Sequence, residues 1–163
     1  MSHHQTGISF LFALYLILHP FHCLAGISVI DDQGRRLQLM QPVQRIISLA
    51  PHTTELLFAA GAGNKVVGAV KFSDYPESAK HIARVGDTHN LDLERIISLK
   101  PDLIVIWFSG NSPTITEKLQ NLNYTLYISE PDSLHIIAKT ITDLGILAGT
   151  AEIAKQNSRH YLD

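Results

Sequence analysis

The pattern of apolar and polar positions divides most of the chain into short strands alternating with helices. Ile27-Ser28-Val29-Ile30 alternates and stops at Asp31-Asp32-Gln33-Gly34, and Arg35 to Met40 resumes with Leu37 and Leu39 on one side. Two alternating runs around a Gly-containing turn predict an N-terminal hairpin. Pro42 separates it from Ile46, Ile47 and Leu49, an apolar run of the kind found in a strand covered on both faces. Pro51 stops that strand, Thr53 or Thr54 is available to cap the next element, and Glu55 to Ala60 is made of good helix formers closed by Gly61.

From Val66 the alternation continues. Val66 to Val70 is a second strand, Tyr75-Pro76-Glu77 begins a short helix, and Leu91-Asp92-Leu93-Glu94 begins another with Asn90 or Asp92 as cap. Leu103 to Ile106 is a third strand, Ser112-Pro113-Thr114 starts a helix running to about Leu122, Thr125 to Ile128 is a fourth strand, and Ser133 to Gly145 a fourth helix. Leu147 to Asp163 reads as a polar helix with Ala148, Ala151, Ile153, Ala154 and Tyr161 as its apolar positions. Repeated strand-helix units predict an α/β fold, a parallel sheet with helices on both faces joined by right-handed crossovers.

Composition narrows the class. The 163 residues are 45% apolar and carry 13 basic against 15 acidic side chains, which fits one globular domain. No basic run occurs and the aromatics are not interleaved with Lys or Arg, so no nucleic-acid partner is expected. Ile8 to Leu18 is an apolar stretch broken only by Ser9, too short to span a bilayer and followed by Cys23-Leu24-Ala25. It predicts a signal peptide over residues 1–25, although its leading segment holds His3 and His4 in place of Lys or Arg. Pro20-Phe21-His22 before Cys23 are not the small residues that a lipidation site wants. Cleavage after Ala25 leaves a chain without cysteine, a periplasmic location and no disulfide.

Candidate chemistry gathers where strands end. In α/β folds, ligands bind at the carboxyl ends of the strands. Pro51 and His52 follow the first core strand, Phe72 and Tyr75 the second, and Trp107 ends the third just before Phe108-Ser109-Gly110-Asn111. A neutral imidazole at His52 is able to ligate a metal, and Asp87 and His89 are its conceivable partners. One His without a second ligand at fixed spacing is weak evidence, so no metal centre is assigned. Nucleophile elbows, phosphate-binding loops and H-E-x-x-H helices are absent. Ala60-Gly61-Ala62-Gly63 follows a helix, whereas a dinucleotide fingerprint must follow a strand. Asp74 and Asp87 are the one carboxylate pair in this region, and spacing alone does not bring them together. No catalytic residue and no cofactor are assigned.

The segments SLAPHTTELLFAAGAG, VVGAVKFSDYP and VGDTHNLDLERIISLKPDLIVIW, behind an apolar leader, resemble the first lobe of periplasmic cobalamin-binding proteins. More broadly the chain is similar, from about Ile27 to Gly149, to the helical-backbone (class III) periplasmic binding proteins that deliver cobalamin, ferric siderophores and haem to ABC importers. The resemblance implies two Rossmann-like lobes joined by one long helix, with ligand gripped between them and no chemistry performed. It divides this chain into a lobe over residues 26–147 and the start of the inter-lobe helix over 148–163, with the second lobe not represented.

The resemblance also implies roles for single residues. Phe72 would lie against the corrin, with Tyr75, Trp107, Pro51 and His52 around the same cleft and the amides of the turn at Gly110 meeting its polar arms. Thr88 stands where some members carry a tryptophan, a departure that bears on the ligand. Glu94 matches an exposed glutamate that docks into arginine pockets of the permease. The expected function is capture of cobalamin by a monomer and its delivery to an ABC permease. A ferric-siderophore or haem binder is the alternative within the family, although Lys71 is the only basic side chain near Phe72. A non-binding interaction module and an α/β enzyme are the alternatives from other classes.

Overall fold

The computed structural model describes residues 26–162, so the expected signal peptide lies outside the described residues. In chain order the elements are β1 (Ile27–Ile30), β2 (Arg36–Leu39), β3 (Ile46–Ser48), α1 (Pro51–Ala59), β4 (Val66–Ala69), α2 (Leu93–Ser98), β5 (Leu103–Trp107), α3 (Pro113–Asn121), β6 (Leu126–Ser129), α4 (Leu134–Ala148) and α5 (Ala151–Arg159). Short 3₁₀ turns cover Gly63–Lys65 and Glu77–His81. β1 and β2 form the expected antiparallel hairpin, and the remaining strands form one parallel sheet in the order β4-β3-β5-β6. The chain therefore adopts the α/β class that its pattern predicts.

Side-chain alternation explains the layers. In β5, Leu103 and Val105 enter a core shared with Ile46, Tyr127, α1, α4 and the hairpin. Ile104 and Ile106 enter a second core with Ile47, Leu126 and Ile128, roofed by Ile96 of α2 and Leu119 of α3. Successive residues of a strand face opposite sides, so a sheet covered twice needs an unbroken apolar run. Burying one such Ile or Leu contributes roughly 2 kcal/mol.

The route of the chain opens a crevice. β3 leads through α1 to β4 on one side, and the chain then returns past β3 to place β5 on the other, with α2 and α3 on the opposite face. The loops that leave β3 and β5 consequently diverge to different faces, and their carboxyl ends form the switch point at which open α/β sheets bind ligands.

Three boundaries differ from expectation. Pro51 begins α1 instead of stopping short of it, because its fixed φ and missing N–H suit a first helical position. Thr53 thus lies inside the first turn, where its Oγ1 accepts from Ala50 N at 3.2 Å and donates to Ala50 O at 2.8 Å. Gly145 does not end α4: it is an interior residue at which a Cβ would collide with Ala154 of α5, and its absence lets the two helices approach closely. The break falls instead at Gly149, at φ 74°, so the polar helix starts at Ala151 and not at Leu147. α5 folds back on the sheet's helical layer, where Ala154 is buried and Asn157 Nδ2 donates to Ala59 O at 2.7 Å.

The hairpin closes the exposed edge of the sheet. β6 pairs only with β5 among the described strands, and its outer edge is met by the β1–β2 turn. Ile128 N donates to Asp31 Oδ2 at 3.3 Å, Glu130 N to Asp32 Oδ2 at 2.9 Å, Asp32 N to Ile128 O at 3.1 Å, and Arg35 Nη2 to Leu126 O at 3.2 Å. Lys139 of α4 reinforces this through Asp32 Oδ1 at 3.1 Å and Ile30 O at 2.7 Å. Asp32→Ala leaves Glu130 N and Lys139 without an acceptor they now share. The expected loss of stability is roughly 2–4 kcal/mol, read as a lower midpoint in urea unfolding. A change within about 0.5 kcal/mol would show that the turn does not brace the edge.

Candidate ligand-binding site

The crevice is built from the alternation of β5. Leu103 and Val105 face the α1 side, so Trp107, two residues on, emerges at the strand's end toward α1. There it meets His52, the second residue of α1, edge-to-face with ring centroids 5.0 Å apart. Such pairs are favourable because the positive ring edge meets the negative face. The Nε2 of His52 is buried without a hydrogen-bond partner among the described residues. Burial pushes the His52 pKa below its ordinary value, against the weaker pull of the Glu130 carboxylate, so the ring is neutral at pH 7.

Gly110 lies directly on the indole of Trp107, where a Cβ would overlap the six-membered ring. The loop between Trp107 and Pro113 is tied down from several sides. The Glu130 carboxylate accepts from Ser109 N and Ser109 Oγ, each at 2.9 Å. Asn111 is 4% exposed, and its Oδ1 accepts from Trp107 N at 2.8 Å. Its Nδ2 donates to Leu49 O at 2.9 Å and to Thr88 O at 3.2 Å. Phe108, at the lip, is 54% exposed.

The neighbouring wall follows β4. Phe72 takes a left-handed backbone conformation, φ 68°, and is 77% exposed, while Tyr75 is 70% exposed beside a cis Tyr75-Pro76 bond. A non-glycine residue at positive φ costs roughly 1–2 kcal/mol, a strain that clusters at functional sites. The loop is anchored underneath. Ser48, Thr53, Thr54 and Ser73 form a buried chain of hydroxyls, with Thr54 Oγ1 in hydrogen-bond contact with Ser48 Oγ at 2.8 Å and Ser73 Oγ at 3.1 Å. Arg84 holds Ser73 O at 3.1 Å and the Asp74 carboxylate at 3.2 Å, and Lys71 N bonds Gly86 O at 2.8 Å.

Of the residues singled out in the sequence, Pro51, His52, Trp107 and Gly110 come together at the switch point, and Thr88 joins them through Asn111. Phe72 and Tyr75 occupy the adjoining loop. His52, Asp87 and His89 do not assemble: among the described residues no group of three His, Cys, Asp or Glu is placed to hold a metal. The Asp87 carboxylate is instead occupied by the amides of His89 and Asn90, at 3.0 and 2.8 Å, which hold its pKa below the usual value. Asp74 is engaged by Arg84 at 3.2 Å. Glu94 is exposed in the first turn of α2, after the cap Asp92, outside the crevice. Asn111, Glu130 and the hydroxyl chain were not legible as parts of this site.

The periplasmic binding protein family model matches residues 46–162. The chain belongs to the periplasmic binding protein family. Among its relatives, the vitamin B12-binding protein of Vibrio vulnificus (strain CMCP6) is 42% identical over 120 residues, 74% of this chain and 44% of the relative. The crystal structure of the periplasmic vitamin B12 binding protein of Vibrio cholerae is 40% identical with a TM-score of 0.72, covering 74% of this chain and 48% of that one. A periplasmic haem-binding protein from Roseiflexus sp. RS-1 is 27% identical with a TM-score of 0.64, covering 71% and 45%. This periplasmic binding protein chain thus spans less than half the length of these relatives, and they are binding proteins, not enzymes.

Because Gly110 supports the indole, Gly110→Ala must displace Trp107. Trp107 is the single tryptophan of the chain, so the displacement is read as a shifted emission spectrum and easier acrylamide quenching. An unchanged spectrum would show that the loop yields and the indole stays.

Proposed function

We propose that this chain is a ligand-binding lobe of a periplasmic solute-binding protein that captures cobalamin and presents it to an ABC permease without performing chemistry on it. The observation that carries the reading is the strained, exposed ring of Phe72 beside the switch point that Trp107 lines. A loop anchored by buried hydroxyls and an arginine spends conformational strain to present an aromatic face, and a flat apolar macrocycle sheds water well against such a face. Identity of about 40% to vitamin B12-binding proteins supports the same ligand. Lys71 is the only basic side chain adjacent to Phe72 in sequence, and Arg84 beneath the loop is already engaged by Ser73 O and the Asp74 carboxylate, whereas a ferric siderophore, usually anionic, would be served by more free positive charge.

Within this reading Phe72 and Trp107 contact the corrin, Tyr75, Pro51, His52 and Thr88 border it, and the N–H of Gly110 meets its amide arms, the amides of Ser109 and Asn111 being taken up by Glu130 and Trp107 O. Haem is the second reading, favoured by the shared fold of the haem-binding relative and by its equally flat macrocycle. Residues 148–163 are read as leading into the helix between lobes, and Glu94 as a docking point for the permease.

Calorimetric titration with cyanocobalamin, beside haemin and a ferric siderophore, tests the ligand. Selective cobalamin binding is expected, weakened about tenfold or more when Phe72→Ala and Trp107→Ala are combined. Preference for haemin or siderophore would overturn the cobalamin assignment, and undiminished affinity in the double variant would overturn the face. Separately, Glu94→Ala should leave cobalamin affinity within about twofold while slowing association with the permease, most visibly at low salt. Unchanged association would remove Glu94 from the docking surface.

A further inference from the structure

The three segments that border the crevice lie far apart in sequence. The end of β3 leads through Leu49 and Ala50 into Pro51 and His52 at the start of α1, the loop after β5 carries Gly110, and the segment 86–91 carries Thr88. One side chain touches all three. Asn111 accepts from Trp107 N and donates to Leu49 O and Thr88 O, and it does so from a buried position. Its chemistry is matched to the place. One N–H has to be accepted and two carbonyls have to be supplied with donors, which a carboxamide does and a carboxylate, hydroxyl or aliphatic group does not.

We infer that Asn111 is the positioning residue of the binding face, a latch that fixes the Trp107 wall, the Leu49-Ala50 link that leads into Pro51 and His52, and the Thr88 segment as one preformed surface. The inference rests on the cobalamin reading for its ligand, but the latch itself is a property of the free protein. A rigid macrocycle gains most from such a surface, because loops already held in place lose little entropy on binding. The latch also explains how a threonine at position 88 is held in the wall: its backbone, not its side chain, is the part engaged.

The test uses Asn111→Ala and Asn111→Asp. In the absence of ligand, both are expected to shift the emission of the single tryptophan, Trp107, and to speed amide exchange in 86–91 by about tenfold or more while β3 and β5 remain protected. Cyanocobalamin affinity should fall roughly tenfold in each. The aspartate variant adds a signature that a merely structural role would not give. When its carboxyl group is protonated at low pH it regains a donor, so its emission should return toward that of the unsubstituted protein, and the alanine variant should not follow.

Unchanged Trp107 emission with unchanged exchange in 86–91 would overturn the inference. So would collapse of both variants with sheet amides exchanging as fast as loop amides, which would make Asn111 a general structural residue. If the unsubstituted protein ignores cyanocobalamin while the variants still loosen the loops, the ligand assignment falls and the latch stands.

Discussion

Everything in this lobe depends on β5 being buried on both faces and paired on both edges. It lies between β3 and β6, with Leu103 and Val105 in one core and Ile104 and Ile106 in the other. No residue of that strand is free to change sides, because a slip of one position would exchange the two cores completely. The orientation of Trp107 at its end is therefore determined before any ligand is considered. The same parity brings the indole to α1 and His52.

The proposed binding face is a product of buried polar groups more than of the aromatic residues it shows. Phe72 is exposed in a conformation its own side chain disfavours, and what holds it there is hidden: the Ser48-Thr53-Thr54-Ser73 hydroxyls, and Arg84 against Ser73 and Asp74. Such networks in a low-dielectric interior are rigid when every member is satisfied. The loop after β5 repeats the arrangement, with Glu130 gripping Ser109 and a carboxamide replacing water at three backbone groups.

The strands, their order of appearance and the helical cover were readable because apolar runs and turn residues act locally. The ends of helices were less so. Pro51 and Gly145 each have two physical meanings, stop or start for the proline and terminator or close-packing point for the glycine, and only neighbours distant in sequence decide between them. Ala154 makes that decision for Gly145. The candidate site divided along the same line. Phe72, Trp107 and His52 were visible as chemistry-bearing residues at strand ends, whereas the Asx-type turn that employs the carboxylate of Asp87, a conceivable partner of His52, shows only in the folded chain. Asn111 gave no signal, since a lone asparagine in a Ser-Gly-Asn-Ser turn is ordinary until its three distant partners are known.

The clasp on β6 carries a consequence for the order of assembly. The amide of Ile128 and the carboxylate of Asp31 that receives it are 97 positions apart, and Glu130 and Asp32 are 98 apart. The first strands made are thus completed by the last strand of the sheet. Until β6 is laid against β5 the hairpin has nothing to close, and a two-stranded hairpin alone is marginal in water. Contacts of this span form slowly and late. A chain emerging from its amino end keeps that end unfastened until β6 has been made.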